Sequence, residues 1–127
     1  MIVGIADTTV LIHYFRKLPT AVAWVDSQPT RLTITSITWL EIMEGVQGKA
    51  AQIDNTTLLA RFDIEYLSTA DQIWAMQQME HLRLSNGITI NDCLIASVSY
   101  RLGVPLFTHN LKHMKVMLPA ALVVKPY

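Results

Sequence analysis

Short apolar runs alternate along this chain with longer segments of helical pattern. The runs that read as strands are Ile2–Ala6, Leu32–Thr35, Ile64–Leu67, Leu106–Thr108 and Leu122–Lys125. Parallel neighbours need a crossover between them, usually a helix, so strict alternation points to an α/β fold with a largely parallel central sheet.

The intervening segments carry their own start and stop signals. Thr9–Arg16 follows the first strand, and Thr20–Ser27 begins just after Pro19, a common helix-start arrangement. Ile37–Val46 is expected to end at Gly45 or Gly48, and Ala50–Arg61 is a further helix of weaker periodicity. Thr69–Leu84 has Ser68 or Thr69 to cap it, Asp71 at its positive end, and Asn86-Gly87 to stop it. Asp92–Leu102 closes at Gly103-Val104-Pro105, and Lys112–Ala121 reads as a short helix or loop. There is no internal repeat, low-complexity stretch or long linker, so one domain is expected over residues 1–127.

The chain is 51% hydrophobic with a mean hydropathy of +0.31, high for a small domain. No apolar run approaches the roughly 20 residues that span a bilayer. No basic region precedes the first apolar run, so neither a membrane segment nor a signal peptide is expected. The surplus is better placed in a buried sheet and a subunit interface. Ten basic residues balance ten acidic ones, which argues against coating DNA without sequence preference. If three acids were consumed by cations, the balance would be ten against seven, a mildly basic rim that tolerates a phosphate-bearing substrate. A single cysteine, Cys93, cannot form an internal disulfide, and a reducing, cytoplasmic setting follows.

Four polar residues stand out: Asp7, Asp92 and Asn110, where strands end or helices begin, and Glu41, within a helix. Carboxylates gathered at the carboxyl ends of parallel strands make a hard oxygen site suited to Mg²⁺ or Mn²⁺. Each has a plainer reading. Asp7 is placed to cap the helix that follows it. Glu41 shares a helix side with Glu44, and either could be a solvated acid. Asp92 opens a helix, where the dipole favours a carboxylate, and Thr89 and Asn91 are alternative caps. Asn110 could satisfy a loop, or offer a neutral oxygen or orient a water. Thr9 and Thr108 are the hydroxyls expected to support the acids.

Other chemistries fit less well. His13, His81, His109 and His113 are scattered and lack zinc-site spacing. No glycine-rich phosphate loop and no Gly-x-Ser-x-Gly elbow is present. Trp24, Trp39 and Trp74 read as core or interface residues, and Cys93 as an inert buried thiol. A phosphoryl-transfer or receiver-type protein also gathers acids at strand ends. A phosphatase of that kind would favour Asp-x-Asp after the first strand, where this chain has Asp7-Thr8-Thr9.

Four segments together resemble the PIN-domain ribonucleases, in particular the VapC-type toxins of toxin–antitoxin pairs. They are Asp7-Thr8-Thr9-Val10-Leu11-Ile12 after its apolar strand, Ser36 to Gly45 around Glu41, Asn91-Asp92-Cys93-Leu94-Ile95-Ala96-Ser97, and Gly103 to Met114 around Asn110. Their order and spacing span nearly the whole chain. The resemblance implies an α/β/α sandwich and hydrolysis of RNA phosphodiesters dependent on a divalent metal, with transfer RNA a reasonable substrate. It carries metal-ligand roles onto Asp7, Glu41 and Asp92, and a catalytic position onto Asn110, where many relatives have an acid. It also implies a homodimer and a cognate antitoxin. A catalytically inactive PIN-like interaction module is the competing reading.

Overall fold

A computed structural model describes residues Met1–Tyr127. All five strands are parallel: β1 (Ile5–Ala6), β2 (Thr33–Thr35), β3 (Asp63–Glu65), β4 (Leu106–Phe107) and β5 (Val123–Val124), in the order β3-β2-β1-β4-β5. The helices are α1 (Thr8–Phe15), α2 (Pro19–Asp26), α3 (Ser36–Glu44), α4 (Lys49–Leu59), α5 (Thr69–Asn86), α6 (Ile90–Leu102) and α7 (Leu111–Met117), with a 3-10 turn at Ala120–Leu122. The architecture is the α/β/α sandwich with a parallel sheet. No helix is long and apolar enough to cross a membrane.

Successive strand residues face opposite sides, so a two-residue strand can feed two cores. Ile5 enters a cluster with Ala75, Ile95, Val98, Leu106, Met114 and Val123. Its neighbour Ala6 enters a second cluster with Val10, Leu11, Tyr14, Ile34, Ile42 and Leu59. Helices α5, α6 and α7 therefore cover one face, and the helices from α1 to α4 contribute the other.

The strands are shorter than their apolar runs. Only Ile5 and Ala6 of Ile2–Ala6 pair, because apolarity reports burial and not hydrogen bonding. Helix α6 starts at Ile90, two residues before the expected Asp92, because Thr89 takes the capping position and places Asp92 in the first turn. Ser68 caps α5, and α7 occupies much of Lys112–Ala121.

Gly4 is needed for close approach. A Cβ there would overlap the Phe107 ring and lie 3.0 Å from the Pro105 carbonyl oxygen. Phe107 is itself pinned edge-on against Trp24, with ring centroids 5.0 Å apart. Gly4→Ala is expected to cost about 1–3 kcal/mol through overpacking. That corresponds to a fall in Tm of about 4–12 °C. A melt that superposes on wild type would show that the β1–β4 contact has room to spare.

Candidate active site

From β1 the sheet grows through β2 and β3 on one side and β4 and β5 on the other. The carboxyl end of β1 is thus a topological switch point, where diverging loops leave a crevice. Asp7 is the residue at that point. It caps α1 and is only 6% exposed. Its Oδ1 accepts the Thr8 backbone N–H at 2.8 Å, and its Oδ2 accepts the Thr108 hydroxyl at 2.7 Å. Thr108 lies just beyond β4, and its Oγ1 also accepts the Asn110 backbone N–H at 2.9 Å.

Glu41 reaches the same region from α3. The Thr8 hydroxyl donates to Glu41 Oε1 at 2.7 Å and lies 2.9 Å from the Thr38 hydroxyl. Thr8 has one hydroxyl proton, and the carboxylate takes it, so Thr38 donates to Thr8. Thr8 therefore ties Asp7 through its backbone and Glu41 through its side chain.

Asp92 arrives from the first turn of α6. Its backbone N–H donates to Thr89 Oγ1 at 3.2 Å, and its Oδ2 accepts the Thr89 N–H at 3.3 Å, a reciprocal capping box. The capping reading is therefore real, and it does not exhaust the carboxylate. Asp92 Oδ1 accepts the Asn110 side-chain amide at 3.3 Å, and Oδ2 lies 3.1 Å from His113 Nδ1.

Burial is the main cause that pushes the Asp7 carboxyl above its ordinary value. The hydrogen bonds from Thr108 and Thr8 pull it back, and the charges of Asp92 and Glu41 push it up further. Both other acids are thus felt at Asp7. Burial also pushes the Cys93 thiol up to about 11, with Asp92 adding to it, so the thiol stays protonated. His109 packs against Tyr127 and His13, its Nε2 buried without a partner, and burial lowers its value.

Thr9, expected to support Asp7, points to solvent. Its neighbour Thr8 does that work, because the first residue of α1 turns inward beside its own cap. Thr8 and Thr38 are contacts that the sequence did not single out. A helical offset of three from Thr38 to Glu41 was the available signal. Glu44 is exposed, whereas Glu41 is half-buried.

A family model described as PIN domain matches residues 5–116. The chain belongs to the PIN-domain family. No curated protein matches its sequence significantly. Among solved structures, a toxin–antitoxin complex from Klebsiella pneumoniae aligns at 25% identity and TM-score 0.79, covering 98% of both chains. VapBC-1 from nontypeable Haemophilus influenzae aligns at 27% identity and TM-score 0.73, covering 91% of both. DNA-bound VapBC from Salmonella typhimurium shares the fold at 22% identity and TM-score 0.80, covering 98% of both.

In this PIN domain the donors suit a hard divalent cation by type: carboxylate oxygens, one of them buried and crowded by like charge. They do not form a ready-made cage, because no three His, Cys, Asp or Glu side chains are grouped as a metal shell. Mg²⁺ keeps several waters and commonly takes one or two carboxylates directly, so donor type fits where a closed cage is absent.

The sign of the Asp7 shift has a consequence for metal-free protein. With its folded-state value raised above the ordinary 3.8, Asp7 holds more protons folded than unfolded between those two values. Its contribution to stability therefore falls as pH rises from about 4 through the folded-state value, and stays low above it. In chelator, Asp7→Asn is expected to melt above wild type at pH 7, with the gap narrowing towards pH 4. A variant that melts below wild type at pH 7 would mean that the two hydrogen bonds outweigh desolvation.

Proposed function

We propose that this protein is a divalent-metal-dependent endoribonuclease that hydrolyses RNA phosphodiesters. It acts in the cytoplasm as the toxin of a toxin–antitoxin pair, and a cognate antitoxin protein covers its site. The observation that carries the reading is that Asp7, at the switch point, feels the charges of both Glu41 and Asp92, each carboxylate already oriented by a neighbour. Membership of the PIN family and the likeness to solved toxin–antitoxin complexes support it. The single domain is taken to run over residues 1–127.

Asp7, Glu41 and Asp92 would hold the cation. Bound Mg²⁺ or Mn²⁺ supplies charge neutralisation at the scissile phosphate and acidifies an attacking water. The protein's own part is positional. Thr108 and Thr8 fix Asp7, Thr8 fixes Glu41, and Asn110 and His113 hold Asp92. Water is the nucleophile in this scheme, because Cys93 is buried and its thiol stays protonated. Transfer RNA is the substrate class that the family resemblance suggests.

One observation favours the inactive interaction module as a second reading: no three acids are grouped as a shell. The same assay separates the two. Wild type should cleave total RNA in Mg²⁺ or Mn²⁺ and stop in chelator. Asp92→Asn should lose at least about 100-fold, or about 2.7 kcal/mol of transition-state stabilisation. Full cleavage in chelator would reject the metal, and no cleavage under any metal would favour the module.

A homodimer belongs to the same proposal. Ile73 and Met76 of α5 and Ile90 and Tyr100 of α6 are large apolar residues left exposed. Light scattering at micromolar concentration should give twice the chain mass, with a contact of at least about 1,000 Å² in total. A monomer under those conditions would leave these side chains needing another explanation.

A further inference from the structure

Lys17 is the only non-glycine residue with a positive φ, at 60°. It sits just past the end of α1, where its N–H donates to the Tyr14 carbonyl at 3.0 Å and the Leu18 N–H donates to the His13 carbonyl at 3.0 Å. Such a helix stop favours glycine, because a Cβ is disfavoured in the left-handed region. The chain uses glycine in the same place at two other helices: Gly87 after α5, with φ 66°, and Gly103 after α6, with φ 64°. A strained residue that persists where glycine would serve points to a use for its side chain.

The surroundings say what that use is. A polar cavity of about 330 Å³ contains Glu41 together with Arg16, Asn55 and Phe15. Phe15 also walls a second cavity, of about 670 Å³, which holds Lys17 and Arg61 above the apolar surface of Tyr14, Val22 and Leu58, with Asp26 as its one acid. None of the four ion pairs involves Arg16 or Lys17. Unpaired cations beside aromatic walls are how proteins track a single strand: phosphates meet the cations while bases lie on the apolar surface.

We propose that Lys17, with Arg16 beside it, is a positioning residue that holds the phosphates of the RNA strand as it passes over Phe15 from the acid site. The inference rests on the nuclease reading and adds the path of the substrate to it. Lys17 acts at a distance from the reacting atoms, so it governs binding and leaves the chemical step alone.

The test uses Lys17→Gly and Lys17→Arg in the full chain. Glycine relieves the backbone strain and removes the charge; arginine keeps both. Lys17→Gly should therefore melt a few degrees higher than wild type while its KM for RNA rises about five-fold at 0.1 M salt with kcat unchanged. The slope of log affinity against log salt, measured by anisotropy on a labelled 20-nucleotide oligoribonucleotide in chelator, should shrink by about 0.7, one phosphate contact to a single strand. Lys17→Arg should restore KM and slope. Cleavage by wild type with KM and slope unchanged in Lys17→Gly would overturn this inference alone, and leave the two cations to an acidic protein segment. Salt-sensitive binding that Lys17→Gly weakens, without cleavage in any metal, would sink the nuclease reading and keep the strand path. No RNA binding by wild type would sink both.

Discussion

A carboxylate kept almost dry at the end of the central strand is what the rest of this structure is arranged around. An unpaired buried charge is costly, so Asp7 persists only because donors converge on it. One comes from the adjacent residue, through the Thr8 N–H at the positive end of α1. The other, Thr108, is 101 residues away in sequence. Only the placement of β4 beside β1 brings that hydroxyl within reach. The sheet order is therefore a requirement of the site as well as a packing solution. An order with another strand between β1 and β4 would leave Asp7 Oδ2 without this donor.

Like charge is the second constraint. Asp92 and Glu41 both raise the free energy of an ionised Asp7, so the metal-free site works against folding. The chain limits this by giving every acid neutral donors. Glu41 has Thr8, backed by Thr38; Asp92 has the Thr89 backbone and Asn110. These partners hold the carboxylates in orientation and apart, which explains how three acids can face one region without forming a closed shell.

Much of this fold was legible because periodicity and end signals report local physics. All five strand runs contain or overlap a strand, and the stops at Gly87 and Gly103 are the glycines that the left-handed region demands. Boundaries moved where a side chain outcompeted the pattern, as when Thr89 capped α6 ahead of Asp92. The site was less legible. Ser68 with Asp71 and Thr89 with Asp92 are the same local motif, and both form reciprocal capping boxes. Asp71 is then neutralised by Arg101 at 2.9 Å, while Asp92 turns to Asn110 and His113. Nothing within either helix separates a structural acid from a candidate ligand. The difference lies in which distant element packs against it. The expectation of Thr9 where Thr8 does the work failed for a related reason: which of two adjacent threonines turns inward depends on where the helix begins, to the residue.

Asn110 brings a polar side chain to the acids without adding a charge. Its amide donates to Asp92 at 3.3 Å, a contact that a carboxylate at that position would turn into repulsion between like charges. Its backbone N–H meanwhile donates to Thr108, the residue that holds Asp7. Asn110 thus connects the two halves of the site, one through its side chain and one through its main chain. The neutral amide keeps the cluster at three acids and makes this position a support for Asp92. Less repulsion among the acids of this fold follows from that neutrality.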